Sequence, residues 1–249
     1  MLPGGNGKEQ EGLMRRTWCV CALALALMCL GCGETYRQLF HRYESQFAQK
    51  RQQFKQIAQI LPAPGSLKEP TAAKLSPPPL YNAKTKSYNT EILMYEQLLD
   101  PDTRPQFDLI LSGDLLTCIL WTGPKNPLFS PDDKAGDTEQ MLKKALAYRY
   151  LVVLRTVSYV PPVAVNETTC KGGVADLEGF VVDMNSNKVE ASFRLTARAA
   201  SQGKYSYKQY ENAADQLEKA VYSSLYTDAR QKVGSLLEQT TGGQFVVEE

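Results

Sequence analysis

The chain has 249 residues and is almost neutral, because 28 Lys and Arg residues balance 27 Asp and Glu residues and leave a formal net charge of +1 at pH 7. Faces that bind nucleic acid usually carry an excess of Lys and Arg, so the composition argues against a nucleic-acid partner. One histidine and six cysteines, four of them within the first 32 residues, supply few ligands for a metal site. We therefore expect neither a metal nor another cofactor.

The first predicted element is a short apolar segment, residues 18–30, with two arginines shortly before it. A basic start, a short apolar core and small residues at the exit are typical of a secretory signal peptide. The sequence at its end, Cys29-Leu30-Gly31-Cys32, resembles the lipobox of bacterial lipoproteins. Residues 1–31 are therefore expected to be a signal peptide.

The lipoprotein resemblance also implies a location. Cys32 would receive lipid and become the new N-terminus, so that acyl chains tether the protein to a membrane. Gly33 follows Cys32, and no aspartate stands at that position; in Gram-negative families this pattern goes with export to the outer membrane. The expected location is the cell envelope, at the periplasmic face of the outer membrane.

Other interpretations of this segment remain open. Ordinary signal peptidase could cut after Gly33, because residues 31–33 also have small residues at both ends. The segment could also stay as an uncut anchor or a buried helix, although its run of about 13 apolar residues is shorter than the roughly 20 that span a bilayer. Residues 1–13 are polar and glycine-rich, which favours a true start at Met14; the alternative is an extended n-region.

Residues 32–61 are predicted to form an amphipathic helix. With Lys50 filling one gap, its apolar residues recur at alternating intervals of four and three, which is a heptad-type stripe. The stripe either packs on the chain's own domain or forms a contact face for self-association or for a partner helix of an envelope protein. The residues of this candidate partner face are Tyr36, Phe40, Tyr43, Phe47, Phe54, Ile57 and Leu61.

A proline-rich linker is predicted at residues 62–88. Residues 62–79 contain six prolines, which favour an extended polyproline II backbone over helix or sheet. This segment is expected to act as a linker or as a strap across the surface.

An α+β domain is predicted at residues 89–249. Apolar spacing and capping residues indicate helices at residues 89–99, 113–121, 137–147 and 207–239. Alternating or β-branched runs indicate strands at residues 150–160, 177–184 and 188–198. The predicted fold is a three-stranded antiparallel meander with helices packed on one face.

Two cysteines remain in this body, Cys118 and Cys170. Cys118 lies in an apolar run and Cys170 in a polar loop. An oxidising compartment would permit a disulfide between them, and two free thiols are the alternative.

No catalytic motif is recognisable in the chain. The lone histidine, His41, lacks the flanking pattern of a nucleophilic site, so we expect a protein that is not an enzyme. Two groups of carboxylates could in principle serve a hydrolase, and a ligand pocket could form beside Trp121. The carboxylates are Asp108 with Asp114, and Asp176 with Glu178 and Asp183.

The sequence therefore favours a lipid-anchored cell-envelope protein that acts as a structural, assembly or partner-binding component. A secreted or periplasmic protein that binds a small ligand or a saccharide is the first alternative. A carboxylate-based hydrolase is the second.

Overall fold

The structure is a computed structural model that describes residues 34–82, 84–85, 87–109, 111, 114–123, 136–165, 169–200 and 213–246. The predicted signal peptide and the predicted lipidation site Cys32 lie outside these described residues. The chain is a mixed α+β protein with several helices and open sheets of three and four strands.

Five helices occur in the described residues. The predicted helices at residues 113–121 and 137–147 agree with two of them, and the long C-terminal helix starts at Ala213; residues 207–212 of its predicted range lie outside the described part. The helices are α1 (Tyr36–Ile60), α2 (Tyr95–Leu99), α3 (Asp114–Trp121), α4 (Thr138–Leu146) and α5 (Ala213–Thr241).

The strands that the structure describes form three sheets. The largest sheet has the order β3-β4-β7-β8, the second β2-β1-β9, and the third is the pair β5-β6. The strands are β1 (Leu80–Asn82), β2 (Ser87–Tyr88), β3 (Thr90–Met94), β4 (Tyr150–Val160), β5 (Val163–Ala164), β6 (Cys170–Lys171), β7 (Val174–Asp183), β8 (Lys188–Arg198) and β9 (Gln244–Val246).

Helix α1 has clear start and stop signals. Thr35 and Gln38 form a capping box, in which Gln38 N donates to Thr35 Oγ1 (3.4 Å) and Thr35 N donates to Gln38 Oε1 (3.1 Å). These two bonds satisfy backbone donors that the first turn leaves open. Leu61 is extended at the other end, as expected for a residue before a proline.

The main sheet has one strand more than predicted. β4, β7 and β8 correspond to the three predicted strands, and neighbouring strands among them are antiparallel. β3 adds a fourth strand, because Thr90–Met94 pairs parallel with the first five residues of β4.

The predicted helix at residues 89–99 is therefore wrong over its first half. The chain forms β3 there, and only Tyr95–Leu99 is helical. All five residues of β3 are buried, which suits a strand that is covered on both faces. A short apolar run fits both a strand and a helix, and in this chain the partner strand β4 decides between them.

Helices cover both faces of the main sheet, so the expectation of helices on one face is wrong. On one face, α1, α3 and α4 pack against Leu151 of β4 and Phe180 of β7. On the other, Val233 of α5 packs in a cluster with Val152 of β4. The reason is that the first six residues of β4 are all buried, so each face of this strand requires cover.

Residues 62–79, here called the strap, run from the end of α1 to the start of β1. Thr71 forms an isolated antiparallel bridge with Ser192 of β8. Two further residues of the strap donate backbone hydrogen bonds to Thr240 and Thr241 at the end of α5. The rest of the predicted linker, residues 80–88, contributes β1 and β2 instead.

Candidate functional site: two clefts beside the first helix

The candidate partner face of α1 is mostly buried in the chain's own core. Six of its seven residues are buried, and Tyr36 is partly buried against the same cluster. Tyr43 also donates a hydrogen bond to Glu139 of α4 (3.0 Å). The stripe therefore packs on its own domain, the first of the two alternatives, and is not a free contact face.

Cys118 and Cys170 are free thiols in the structure. Cys118 lies in α3 inside the core, where burial raises the pKa of its thiol. Cys170 lies in β6 and is half-buried. A buried thiol with a raised pKa is a poor nucleophile, so neither its position nor its chemistry singles out Cys118 for catalysis.

His41 lies on the exposed side of α1, with Nδ1 3.3 Å from Glu44 Oε2. Within the described ranges, no group of three or more His, Cys, Asp or Glu side chains could hold a metal ion. His41 is therefore placed as a surface residue that pairs with its helix neighbour.

Glu178 of β7 forms the centre of a buried ion-pair network beneath the strap. It is fully buried, and its carboxylate lies 2.6 Å from Arg155 Nη2 and 2.7 Å from Arg194 Nη2. It also accepts hydrogen bonds from the backbone N–H groups of Gly65 (3.2 Å) and Leu67 (3.4 Å). The carboxylate thus ties β4 and β8 to the strap.

The electrostatics of Glu178 agree with a structural role. Burial raises the pKa of this carboxyl, but hydrogen bonds from Arg155, Arg194 and Gly65 outweigh burial and hold the pKa below its usual value. Arg155 also donates to the carbonyl oxygens of Pro62 (2.5 Å) and Ala63 (3.1 Å). A carboxylate with this many donors is stabilised in its charged form.

The other two carboxylates of β7 have separate partners. Asp176 accepts hydrogen bonds of 2.6 Å from both Ser158 and Thr196, which lower its pKa. Asp183 accepts from Arg149 Nε (3.0 Å), which directly precedes β4. The three acids therefore connect strands, and this arrangement gives the hydrolase alternative no added support.

Glu91, a buried carboxylate on β3, was not among the predicted site residues. Its Oε2 accepts a hydrogen bond from Leu115 N (2.9 Å) in the first turn of α3. A carboxylate at a helix N-terminus satisfies open backbone donors and favours the helix dipole. The one sequence signal was an acid directly before an apolar run, which the helical interpretation of residues 89–99 treated as part of the start of a helix.

A first cleft, of about 640 Å³, lies between α1, the turn after α2 and the C-terminal end of α3. Arg51 and Lys55 contribute from α1, and Asp100 and Asp102 from the turn. Arg51 Nη1 donates to the carbonyl oxygen of Ile119 (3.0 Å). The volume of the first cleft is within the range of small-molecule sites.

The predicted pocket beside Trp121 is close to this cleft. Trp121 itself packs on Phe40, with ring centroids 6.3 Å apart, while its neighbours Leu120 and Gly123 line the cleft. The tryptophan thus contributes packing between α1 and α3.

A second cleft, of about 530 Å³, lies beside α1 and is here called the amide cleft; Gln52 lines both clefts. Leu146 from α4 and Asn187 from the turn between β7 and β8 complete it. The α1 side chains that line it are Gln46, Gln49, Lys50, Gln52, Gln53 and Gln56. The glutamines were visible in the sequence, but their position beside Asn187 depends on the packing of α1.

No protein-family model matches the chain, and no curated protein is significantly similar to it. Among the described residues, no helix is both long enough and apolar enough to cross a membrane.

Proposed function

We propose that this chain is a lipid-anchored cell-envelope protein that acts by binding, as a structural, assembly or partner-binding component. The observation that carries the proposal is the short distance in sequence between the lipobox-like residues 29–32 and Thr35. Thr35 forms the capping box that starts α1, and α1 is part of the core. The folded body would therefore begin directly after the lipid.

This arrangement limits how far the body can move from a membrane. A lipid on Cys32 would be separated from Thr35 by two residues, and three extended peptide steps reach about 10 Å. Several acyl chains, at about 0.8 kcal/mol per buried CH₂, would hold the protein for long periods. In this proposal the strap fastens α1 to the sheet, so that the anchor and the sheet move together.

The open clefts beside α1 support binding as the activity of the body. The buried carboxylates described above are occupied by hydrogen bonds and ion pairs, whereas both clefts have exposed polar walls. Sites with convergent polar groups fix the orientation of a ligand or partner.

Metabolic labelling with a fatty acid tests the anchor. We expect label on the wild-type protein, loss of label in Cys32→Ser, and release of that variant from the membrane fraction. Cys21→Ser, a cysteine of the apolar run outside the lipobox-like residues 29–32, is the matched control and should keep both the label and the membrane location. An unlabelled, soluble wild-type protein would contradict the proposal and would make ordinary secretion the better interpretation.

A further inference from the structure

We propose that the amide cleft binds an oligosaccharide whose sugars carry hydroxyl and acetamido groups, with a carboxylate of the saccharide placed against Lys50. The amide cleft adjoins the first cleft at Gln52, which lines both, but none of its other lining residues is shared. The inference goes beyond the lipid anchor, because it depends only on residues of the folded body.

The first support is the number and spacing of the amides. Gln46, Gln49, Gln53 and Gln56 follow one another at intervals of three, four and three, so they form one stripe along α1. The exposed carboxamides of Gln46, Gln49 and Gln56 each offer two donor hydrogens and an acceptor oxygen, whereas Gln53 already donates both of its Nε2 hydrogens within the protein. Sugar hydroxyl and acetamido groups likewise combine donors and acceptors, so a row of amides can match them.

The second support is the fixed floor of the cleft. Gln53 Nε2 donates to Asn187 Oδ1 (2.8 Å) and to the carbonyl oxygen of Met184. Asn187 has a positive φ of 53° in the turn between β7 and β8, a conformation that asparagine tolerates better than most residues. The centre of the stripe is thus held in place before a ligand arrives, while Gln46, Gln49 and Gln56 are exposed.

The third support is Lys50, which is half-buried and donates to Gln53 Oε1 at 3.4 Å. Burial lowers its pKa, and burial is the sole cause of that shift. Among the described residues, the lining of the cleft contains no Asp or Glu, and no ion pair includes Lys50. A partly desolvated cation in an acid-free cleft favours an anionic group on the ligand.

The lining favours a saccharide over a peptide. Leu146 is the one large apolar side chain among the described residues of the lining, so the cleft lacks apolar pockets that would hold peptide side chains. A peptide would therefore gain little beyond backbone hydrogen bonds, whereas a saccharide presents polar groups along its whole length.

Calorimetric titration of the full chain in detergent tests the site with two probes. One is a β-1,4-linked N-acetylglucosamine tetrasaccharide, which is neutral. The other is the disaccharide of N-acetylglucosamine and N-acetylmuramic acid, which carries a carboxylate. We expect both to bind and the acidic probe to bind more tightly per sugar unit. Binding of neither probe, or binding of tetra-alanine in their place, would overturn the proposal.

Three variants locate the binding. The double variant Gln49→Ala with Gln56→Ala should bind both saccharides about fivefold or more weakly, because each lost hydrogen bond reduces the binding free energy by a modest amount. Lys50→Gln should remove the preference for the acidic probe. Gln59→Ala, an exposed glutamine of α1 outside the cleft, should leave binding unchanged. Alanine has a high helix propensity, so α1 should remain folded in the alanine variants. Equal saccharide binding by all variants would contradict the assignment of the site to the amide cleft.

Discussion

Glu178 shows how one buried charge can determine local structure. Its carboxylate joins Arg155 of β4, Arg194 of β8 and the backbone of the strap at Gly65. Removing one member of a buried ion pair leaves an uncompensated charge in a region that water does not reach. The strap depends on this carboxylate, because the same atoms that pair the arginines also accept its N–H groups.

Replacing Glu178 by Gln should destabilise the protein by about 3–5 kcal/mol, because Arg155 then remains buried without its carboxylate. Urea unfolding of the full chain measures this. Asp176→Asn is the matched control on the same strand; its carboxylate is half-buried and bonded to hydroxyl groups, so the expected loss is about 1 kcal/mol. Equal losses for the two variants would contradict the central role of Glu178.

Stability should also fall in acid. The folded-state pKa values of Glu178 and Asp176 lie below their usual values. Their stabilising contribution is therefore complete above the unfolded-state values of about 4, and is lost as the pH falls toward the lower folded-state values. Unfolding free energies measured from neutral pH downward should decline below about pH 4.5. The decline should be shallower in Glu178→Gln, and parallel curves would contradict the assignment.

At the residue scale, the sequence identified most of the buried stripe of α1 but missed the buried charges. Phe47 and Phe54 follow a helical period that burial explains. Glu91 and Glu178 have no such signal, because an acid on a strand is usually a solvated surface charge and its partners come from distant segments. The sequence alone could not show that Arg194 and Gly65 bind the same carboxylate, that of Glu178.

At the element scale, α1 combines a local and a non-local origin. Its start and end follow from Thr35, Gln38 and Pro62, all of which can be read locally. Its burial follows from contacts with α3, α4 and β4, which the heptad-type spacing alone could not distinguish from a partner interface. The same limitation affected β3, whose conformation depends on pairing with β4.

Replacing Phe47 or Phe54 by Ser should unfold or strongly destabilise the protein. Both side chains are fully buried in the core, and truncating a buried Phe costs about 3–5 kcal/mol. Thermal unfolding of each variant measures the loss. Gln59→Ser, at an exposed position of the same helix, is the control and should change stability little. A folded variant that merely loses a co-purifying partner would restore the partner-face interpretation.

At the scale of the whole molecule, the main sheet lies between two helical layers. The mixed α+β class could be predicted from the strand and helix patterns, since β4, β7, β8 and the long C-terminal helix have strong local signals. The second helical layer could not be predicted from the sequence. Periodicity indicates that a strand is buried on both faces, but it does not indicate which helix covers each face.

The two clefts illustrate the same limit for function. Each combines α1 with residues far away in sequence, such as Asp100 for the first cleft and Asn187 for the amide cleft. The segment before Thr35 is different, because the lipoprotein resemblance is a continuous sequence pattern. A location for the protein can thus be proposed from the sequence alone, whereas a binding site on the body can be proposed only from the fold.

Mass spectrometry of the N-terminus of the mature protein tests the lipid anchor most directly. We expect the first residue to be Cys32 with added acyl mass, three residues before Thr35, which caps α1. A mature chain that starts at Glu34 without added mass, as expected for cleavage after Gly33, would contradict the anchor and identify a secreted protein.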